Sequence, residues 1–115
     1  MKKGTELKSR LALVLKKDDL ARIKVVDEEK ILVDLHNLGT KEAMILVNNI
    51  INLNRNECEI SVIHGYNHGI ALKDMINNRF KNSRIVARKS VAGNEGMTVL
   101  ACKSVYWESR GINFW

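Results

Sequence analysis

Apolar positions in the middle of the chain follow two different periods, and together they predict alternating strands and helices. Residues 31–36 and 58–63 are short runs rich in β-branched residues, which predict two strands. Between these runs, apolar residues recur every three or four positions over 41–54, which predicts an amphipathic helix. The same period returns over 69–81 and predicts a second helix.

The pattern then changes to that of a β-hairpin. Residues 84–88 and 97–102 predict two more strands, and the glycines within 92–96 suit the turn that joins them. The element order is therefore β-α-β-α-β-β. A crossover of this length makes the first two strands parallel, whereas the hairpin adds an antiparallel pair. We predict an α/β fold, a two-layer sandwich with a mixed four-stranded sheet.

Two segments lie outside this predicted domain, which spans 30–103. The N-terminal extension, 1–29, is expected to be partly helical over 5–24, and a strand at 11–15 is the alternative. The C-terminal tail, 104–115, holds four of the six aromatic residues of the chain. A tail that docks on its own domain and a tail that mediates self-association both fit this composition.

Length and composition restrict the class of protein. With 115 residues, 45% of them hydrophobic and 28% charged, the chain has the size and balance of one soluble globular domain. Its apolar runs are far shorter than the roughly 18–20 residues of a membrane helix, and the charges at 16–19 interrupt any secretory hydrophobic region. The two cysteines are expected to be reduced core thiols. These features predict a cytoplasmic protein that does not enter a membrane.

Basic residues are concentrated in one segment of the chain. Residues 73–89 contain six Lys or Arg residues and one Asp, and so carry most of the net charge of +6. Clustered cations are typical of a surface that contacts the phosphates of DNA or RNA, and they predict that Lys73, Arg84 and Arg88 bind nucleic acid. A solvated helix end followed by a charged edge strand is the alternative.

All three histidines fall where the first two predicted strands end. His36 closes the first strand, His64 closes the second, and His68 begins the helix that follows. The carboxyl ends of parallel strands form the edge at which such sheets bind ligands, so this edge is the predicted site. Strand alternation also places Asp34 on the same face as His36, about 6–7 Å away along the chain. A hydrogen-bonded pair at a strand end is the plainer interpretation of these two residues.

The loop after the second strand is a candidate phosphate-binding loop. Gly65 and Gly69 bracket it, and glycines allow backbone amides to approach a phosphate closely. The loop lacks the lysine of a nucleotide-binding P-loop, and a structural turn is the alternative. Tyr66 would either stack on an exposed base or cover the loop.

Three short motifs occur in order over about 31–103. They are Val33-Asp34-Leu35-His36, then Val62-Ile63-His64-Gly65 with Gly69, and finally Gly96-Met97-Thr98-Val99-Leu100. In sequence and spacing they resemble the Smr domain, the small MutS-related module. The resemblance implies a fold similar to the C-terminal domain of translation initiation factor three. It also implies a protein that binds nucleic acid, and several members of the family are endonucleases that nick DNA or cut RNA.

The resemblance carries roles onto individual residues. In the family, the Asp-Leu-His motif is tied to cleavage, and its counterparts here are Asp34 and His36. The loop that begins His-Gly is tied to substrate binding, and its counterparts here are His64, Gly65 and Gly69.

Two cleavage chemistries are open to these residues. Cleavage of RNA without a metal would use His36 as the general base, oriented by Asp34. In that case, His64 or His68 would donate a proton to the leaving oxygen. Cleavage of DNA would instead use Asp34 to help hold a divalent metal ion that activates water.

The sequence departs from the family pattern in two places. Asn37 stands where the family usually has glycine, and Tyr-Asn-His at 66–68 replaces a common Lys-Gly-Thr stretch. Loss of that lysine favours a non-catalytic nucleic-acid-binding or adaptor module. Retention of Asp34 and His36 favours an endonuclease, which is a hydrolase of phosphodiester bonds.

Overall fold

A mixed sheet of five strands forms the centre of the protein, in a computed structural model that describes residues 5–27, 29–65 and 70–106. The strands are β1 (Ile23–Asp27), β2 (Lys30–Asp34), β3 (Cys58–Ile63), β4 (Ile85–Val91) and β5 (Asn94–Cys102). Their spatial order is β1-β2-β3-β5-β4. β2 and β3 run parallel, and the other neighbouring pairs are antiparallel.

Four helices accompany the sheet in the described part of the chain. They are α1 (Thr5–Val14), α2 (Lys17–Leu20), α3 (Thr40–Leu53) and α4 (Ile70–Asp74), and α4 continues directly into a π-helical turn, Met75–Arg79. The longest, α3, connects the two parallel strands, as a crossover of this kind requires. No helix within these ranges is long and apolar enough to span a bilayer.

Strand alternation sorts the side chains of the sheet into a covered face and an open face. Ile31, Val33 and Val62 are at most 2% exposed and belong to the core that the helices complete. The residues that alternate with them, such as Leu32 and Ser61, are only half-buried. Within the described residues, the second face of the sheet is therefore left open.

The structure confirms the predicted α/β class and the predicted element order from β2 to β5. The predicted count of four strands is wrong, because Ile23–Asp27 forms a fifth. Ile23 pairs with Val33 and Val25 with Ile31, so β1 covers the otherwise free edge of β2.

The N-terminal prediction is correct only in part. The helix expected over 5–24 is divided into α1 and α2 and then gives way to β1. Residues 11–15 do not form the alternative strand, since α1 runs through Val14 and the Leu15 N–H donates to Leu11 O at 2.8 Å.

Most other element boundaries agree with the prediction to within one or two residues. The strand expected over 31–36 ends at Asp34, because His36 and Asn37 form a turn. The hairpin strands are longer than expected, since Ala92 and Gly93 alone make the turn between β4 and β5. Gly93 has φ +78°, the left-handed conformation that a tight hairpin turn requires.

Candidate functional site

Asp34 and His36 form a hydrogen-bonded pair at the end of β2. Asp34 Oδ1 lies 2.5 Å from His36 Nδ1 and 3.0 Å from the His36 backbone nitrogen. An ionised carboxylate only accepts hydrogen bonds, so His36 Nδ1 carries the hydrogen and donates it. The other ring nitrogen, Nε2, has no hydrogen bond from any described residue, and the His36 side chain is 57% exposed. Asp34 and His36, two of the three predicted catalytic residues, therefore meet as a hydrogen-bonded pair at the end of the strand.

The backbone on both sides of His36 is held in place. The Leu35 N–H donates to Ile63 O at 2.8 Å, which continues the parallel pairing beyond the last residue of β2. Asn37 has φ +70°, a left-handed conformation that asparagine adopts more readily than other non-glycine residues. The chain therefore turns toward α3 immediately after His36 and leaves the imidazole at the sheet edge.

Arg22 is a third member of this site. Its Nη1 donates to the backbone oxygens of Asp34 at 3.1 Å and of His36 at 3.0 Å, and the Asp34 N–H donates back to Arg22 O at 2.9 Å. The guanidinium thus fixes the carbonyls on both sides of Leu35. Sequence analysis missed Arg22, because it assigned the residue to an extension outside the domain. The Ile-Lys-Val-Val run that follows, which is rich in β-branched residues, was the available signal for a strand beginning there.

The surroundings of Asp34 favour its ionised form. Burial alone would raise the pKa of this carboxyl. The hydrogen bonds from the His36 side chain and backbone, with electrostatic attraction to His36 and Arg22, outweigh burial and lower the pKa below its ordinary value of 3.8. An ionised Asp34 holds the imidazole in one tautomer and one orientation, which is what a histidine general base requires.

Gly65 brings the end of β3 beside His36. A Cβ added to Gly65 would lie only 3.9 Å from His36 Cβ, and its φ of +86° is the left-handed conformation that favours glycine. Gly96 packs against it from β5, because a Cβ there would lie 3.4 Å from the Gly65 carbonyl carbon. An open cavity of about 500 Å³ adjoins these glycines and is lined by Ile63, Gly65, Gly93, Asn94, Glu95 and Gly96.

His64 has a structural position that differs from its predicted role as a general acid. The residue is fully buried, its Nδ1 donates to Gly65 O at 3.0 Å, and its Nε2 accepts from Thr98 Oγ1 at 3.0 Å. The Thr98 oxygen in turn accepts the Asn77 side-chain amide at 3.3 Å. Since both ring nitrogens are engaged and shielded from solvent, His64 does not reach a substrate. It is a positioning residue for the loop that begins at Gly65.

Burial also sets the protonation state of His64. Burial lowers the pKa of the imidazole below its ordinary value of 6.5; the hydrogen bond to Gly65 O raises it, and the charge of Lys73 lowers it. The lowering effects prevail, so the folded protein favours the neutral ring, in agreement with a ring that donates at Nδ1 and accepts at Nε2.

The remainder of the predicted loop lies outside the described residues. Tyr66, His68 and Gly69 fall within 66–69, so their predicted contacts with a base or a phosphate stay predictions. The same holds for most of the C-terminal tail. Of its four aromatic residues the structure describes Tyr106, which is exposed.

Arg84 is a structural residue, and its predicted contact with nucleic acid is corrected. It is 8% exposed, and its guanidinium donates to four backbone oxygens, those of Ile51, Asn54, Asn56 and Lys103. These oxygens lie in or just after α3, before β3 and after β5, so one side chain ties three segments together. Because Ile85 pairs with Cys102, Arg84 also lies at the sheet edge opposite to His36.

Arg88 is also engaged with the protein. Its Nε donates to Ile76 O at 3.1 Å, and its Nη2 donates to Phe80 O. These bonds fasten β4 to the π-helical turn. The guanidinium therefore has a structural function, but Arg88 is exposed, and its predicted contact with nucleic acid stays a prediction.

The other cations of segment 73–89 are distributed over the molecule. Two of them form ion pairs, Arg79 with Asp74 at 3.2 Å and Lys89 with Glu59 at 3.8 Å. Lys73 and Lys81 are exposed at opposite ends of the helical segment that α4 begins. Lys73 lies near enough to His64 to influence its pKa, so it is the predicted cationic contact that belongs to this edge of the sheet.

Asp34 and His36 are the candidate metal ligands at the site. No group of three or more His, Cys, Asp or Glu side chains able to hold a metal ion occurs within 5–27, 29–65 and 70–106. A divalent ion at Asp34 would therefore take further ligands from outside these residues, such as the phosphate oxygens of a substrate.

Comparison with known proteins gives no match: no protein family, no curated protein and no solved structure is recognisably similar to this chain. The resemblance to the Smr domain rests on the motifs alone and stays a prediction.

Proposed function

We propose that this chain is a cytoplasmic nucleic-acid-binding protein of the Smr type that cleaves RNA with the Asp34–His36 pair. The proposal includes the fold relationship with the C-terminal domain of translation initiation factor three that the motifs imply. The observation that carries it is an exposed imidazole whose Nδ1–H is held by an ionised carboxylate. This arrangement leaves Nε2 available as a base at the sheet edge where ligands of such folds bind.

In the proposed reaction, His36 Nε2 removes the proton of a ribose 2′-hydroxyl. The resulting oxygen attacks the adjacent phosphorus, the bond to the 5′-oxygen breaks, and a 2′,3′-cyclic phosphate forms. Asp34 stabilises the imidazolium by accepting its Nδ1–H. His64 is excluded as the proton donor to the leaving oxygen because it is buried. Water or His68, which lies outside the described residues, is left for that role.

The position of Asp34 favours this reaction over metal-dependent cleavage of DNA. Its Oδ1 already accepts two hydrogen bonds from His36, one from the ring and one from the backbone. A carboxylate used in this way is a positioning group. Only Oδ2 would be left for a divalent ion, which would activate water if bound.

The proposed binding surface is smaller than the charge distribution predicted. It consists of Lys73 and the cavity beside Gly65, whose own N–H already donates to Gly96 O at 3.2 Å. Arg84 is left out because it is buried against backbone oxygens, whereas the exposed Arg88 is kept as a predicted contact. Glycine at 65 lets a phosphate approach the chain closely next to His36.

A non-catalytic nucleic-acid-binding or adaptor module is the second candidate. The burial of His64 favours it, since the described residues then offer one imidazole at the site instead of an acid and a base. The aromatic C-terminal tail would be its surface for self-association or for a partner.

The deciding experiment is a cleavage assay on labelled single-stranded RNA and on plasmid DNA, with and without a chelator. The proposal predicts RNA cleavage that persists in chelator and gives 2′,3′-cyclic phosphate ends. Asp34→Asn should lower the rate about 10²-fold or more, since it weakens the hold on the imidazole. A Lys81→Ala variant, purified in the same way, should retain the full rate. A folded protein that binds RNA and DNA but cuts neither in either condition contradicts the proposal and supports the adaptor.

A further inference from the structure

The two cysteines of the chain meet at the sheet edge opposite to His36. Cys58, the first residue of β3, is paired directly with Cys102, the last residue of β5. Directly opposed residues of an antiparallel pair have Cα atoms about 4.5–5.5 Å apart, within the about 4.4–6.8 Å that a disulfide spans. Both thiols are free, and both residues are at most 3% exposed. Their backbone placement therefore already suits a cross-strand bond.

A fixed positive charge acts on both thiols. The charge of Arg84 lowers the pKa of Cys58 and counteracts the effects that raise the pKa of Cys102. Since Arg84 is fixed by four backbone oxygens, its charge cannot move away. This charge favours the thiolate, which is the form of cysteine that attacks a peroxide.

A small oxidant has a route to this pair. An open cavity of about 630 Å³ lies at the same edge, and both cysteines contribute to its wall. Three lysines and three glutamates also line it, so the charges of its wall balance, which suits an uncharged oxidant such as hydrogen peroxide.

We propose that Cys58 and Cys102 are a redox modification site that hydrogen peroxide converts into a reversible cross-strand disulfide. One of the two thiolates attacks one peroxide oxygen, the O–O bond breaks, and the departing hydroxide takes up a proton to give water and a sulfenic acid at that cysteine. The sulfur of the other cysteine then attacks the sulfenic sulfur, the S–O bond breaks, and a second water leaves. The two thiols lose two electrons, and the hydrogen peroxide is reduced to two water molecules.

The test uses the full chain, reduced, desalted and treated with equimolar hydrogen peroxide while folded. We expect both thiols to disappear together, with a mass loss of about 2 Da and a linked pair of peptides that contain Cys58 and Cys102. Dithiothreitol should restore the original mass. If the folded protein instead gains oxygen without losing 2 Da, forms dimers linked between chains, or forms the disulfide only after unfolding, the proposal is overturned.

Single variants test whether the two thiols react with each other. In folded Cys58→Ser and Cys102→Ser, the remaining cysteine has no internal partner, so neither variant should lose 2 Da, and dimedone should trap a sulfenic acid at the remaining cysteine. Circular dichroism identifies any variant that fails to fold, and the measurement on the unmodified chain decides the proposal without them. Two folded variants that both fail to react with peroxide contradict the proposed first step.

Discussion

His36 and His64 follow neighbouring parallel strands, yet the fold gives them opposite environments. His36 continues the alternation of Leu32 and Asp34, which face the open side of the sheet, and its side chain is 57% exposed. His64 continues the alternation of Val62, which faces the core, and it is fully buried. Both residues lie at the edge that is the predicted site, but only His36 is open to solvent there. The face on which a strand places a residue therefore decides whether its side chain is available for the proposed catalysis or is part of the core.

The same contrast separates Lys73 from Arg84, although one basic segment contains both. Lys73 is exposed near His64, whereas Arg84 is buried at the opposite edge and bound to backbone oxygens. Cations of one segment thus lie in two environments, one open to solvent at the proposed site and one in which the cation satisfies carbonyls at the ends of helices and strands. Substitutions can distinguish these environments.

The largest expected effect on stability is that of Arg84→Met. The substitution removes four hydrogen-bond donors from buried carbonyls, so we expect a loss of about 3 kcal/mol or more in the free energy of unfolding. Urea denaturation measures it. Lys81→Met, an exposed change of the same charge in the same segment, should alter stability by less than about 0.5 kcal/mol. Similar small losses in both variants would mean that Arg84 does not hold the three segments together.

His64→Leu is expected to destabilise the fold by about 1–3 kcal/mol at pH 7.5, because it leaves Thr98 Oγ1 and Gly65 O without the histidine partner. The pH dependence should change as well. Burial lowers the pKa of His64 in the folded state, so below about pH 6.5 the unfolded chain binds a proton that folded His64 does not. Its contribution to stability is therefore complete above pH 6.5 and declines below it.

Urea unfolding at pH 7.5 and at pH 5.0 checks this dependence. The unmodified protein should lose more stability between the two values than His64→Leu does. Asp34 does not interfere, because its pKa is lowered from 3.8 and its contribution is lost only as the pH falls below that value. Equal losses in both proteins would show that His64 titrates normally, and so is not buried as a neutral ring.

Substitutions at Asn37 test the backbone turn that leaves His36 exposed. Its φ of +70° costs a residue with an ordinary Cβ roughly 1 kcal/mol, so Asn37→Ala should lower stability by about that amount. Asn37→Gly should be neutral or slightly stabilising, since glycine adopts this conformation without a steric penalty. Thermal unfolding followed by circular dichroism compares the two. A glycine variant as unstable as the alanine variant would indicate a side-chain role for Asn37.

The smallest expected effect concerns nucleic-acid binding. Lys73→Gln should lower the salt dependence of RNA affinity by about one unit of the log–log slope, because one phosphate contact is lost. Lys81→Gln makes the same change of charge at the far end of the helical segment and should leave the slope unchanged. Fluorescence anisotropy at several salt concentrations measures both. Equal slopes for the two variants would remove Lys73 from the proposed surface.

Local pattern was sufficient for most of the fold. The β-branched residues of β3 and their alternation with polar ones made its boundaries predictable to the residue, and the periodicity of α3 located that helix to within one residue. β1 was missed because its five residues include two charged ones and follow directly after a helical segment. Its strand character depends on pairing with β2, which is a tertiary contact.

The parts of the site formed by residues close in sequence were predictable. The parts formed by contacts between distant segments were not. Asp34 and His36 are two residues apart, so alternation alone brought them together. The partners of Arg84 lie 19 to 33 residues away, and no local signal marks that cation as buried. The burial of His64, by contrast, could have been predicted, because a residue two positions after Val62 in a strand lies on the same face, which is the face toward the core.

Catalysis by His36 is tested most sharply by single-turnover RNA cleavage by His36→Ala and His64→Leu, with RNA binding measured on the same samples. His36→Ala should stay folded, bind RNA within a few-fold of the unmodified protein, and lose about 10²–10⁴ of the rate, as expected when a general base is removed. His64→Leu should keep the rate per folded molecule to within about tenfold, since its role is structural. A folded His36→Ala protein that cuts as fast as the unmodified one would show that His36 is not the general base. A folded His64→Leu protein that loses as much of the rate as His36→Ala would contradict the structural role of His64.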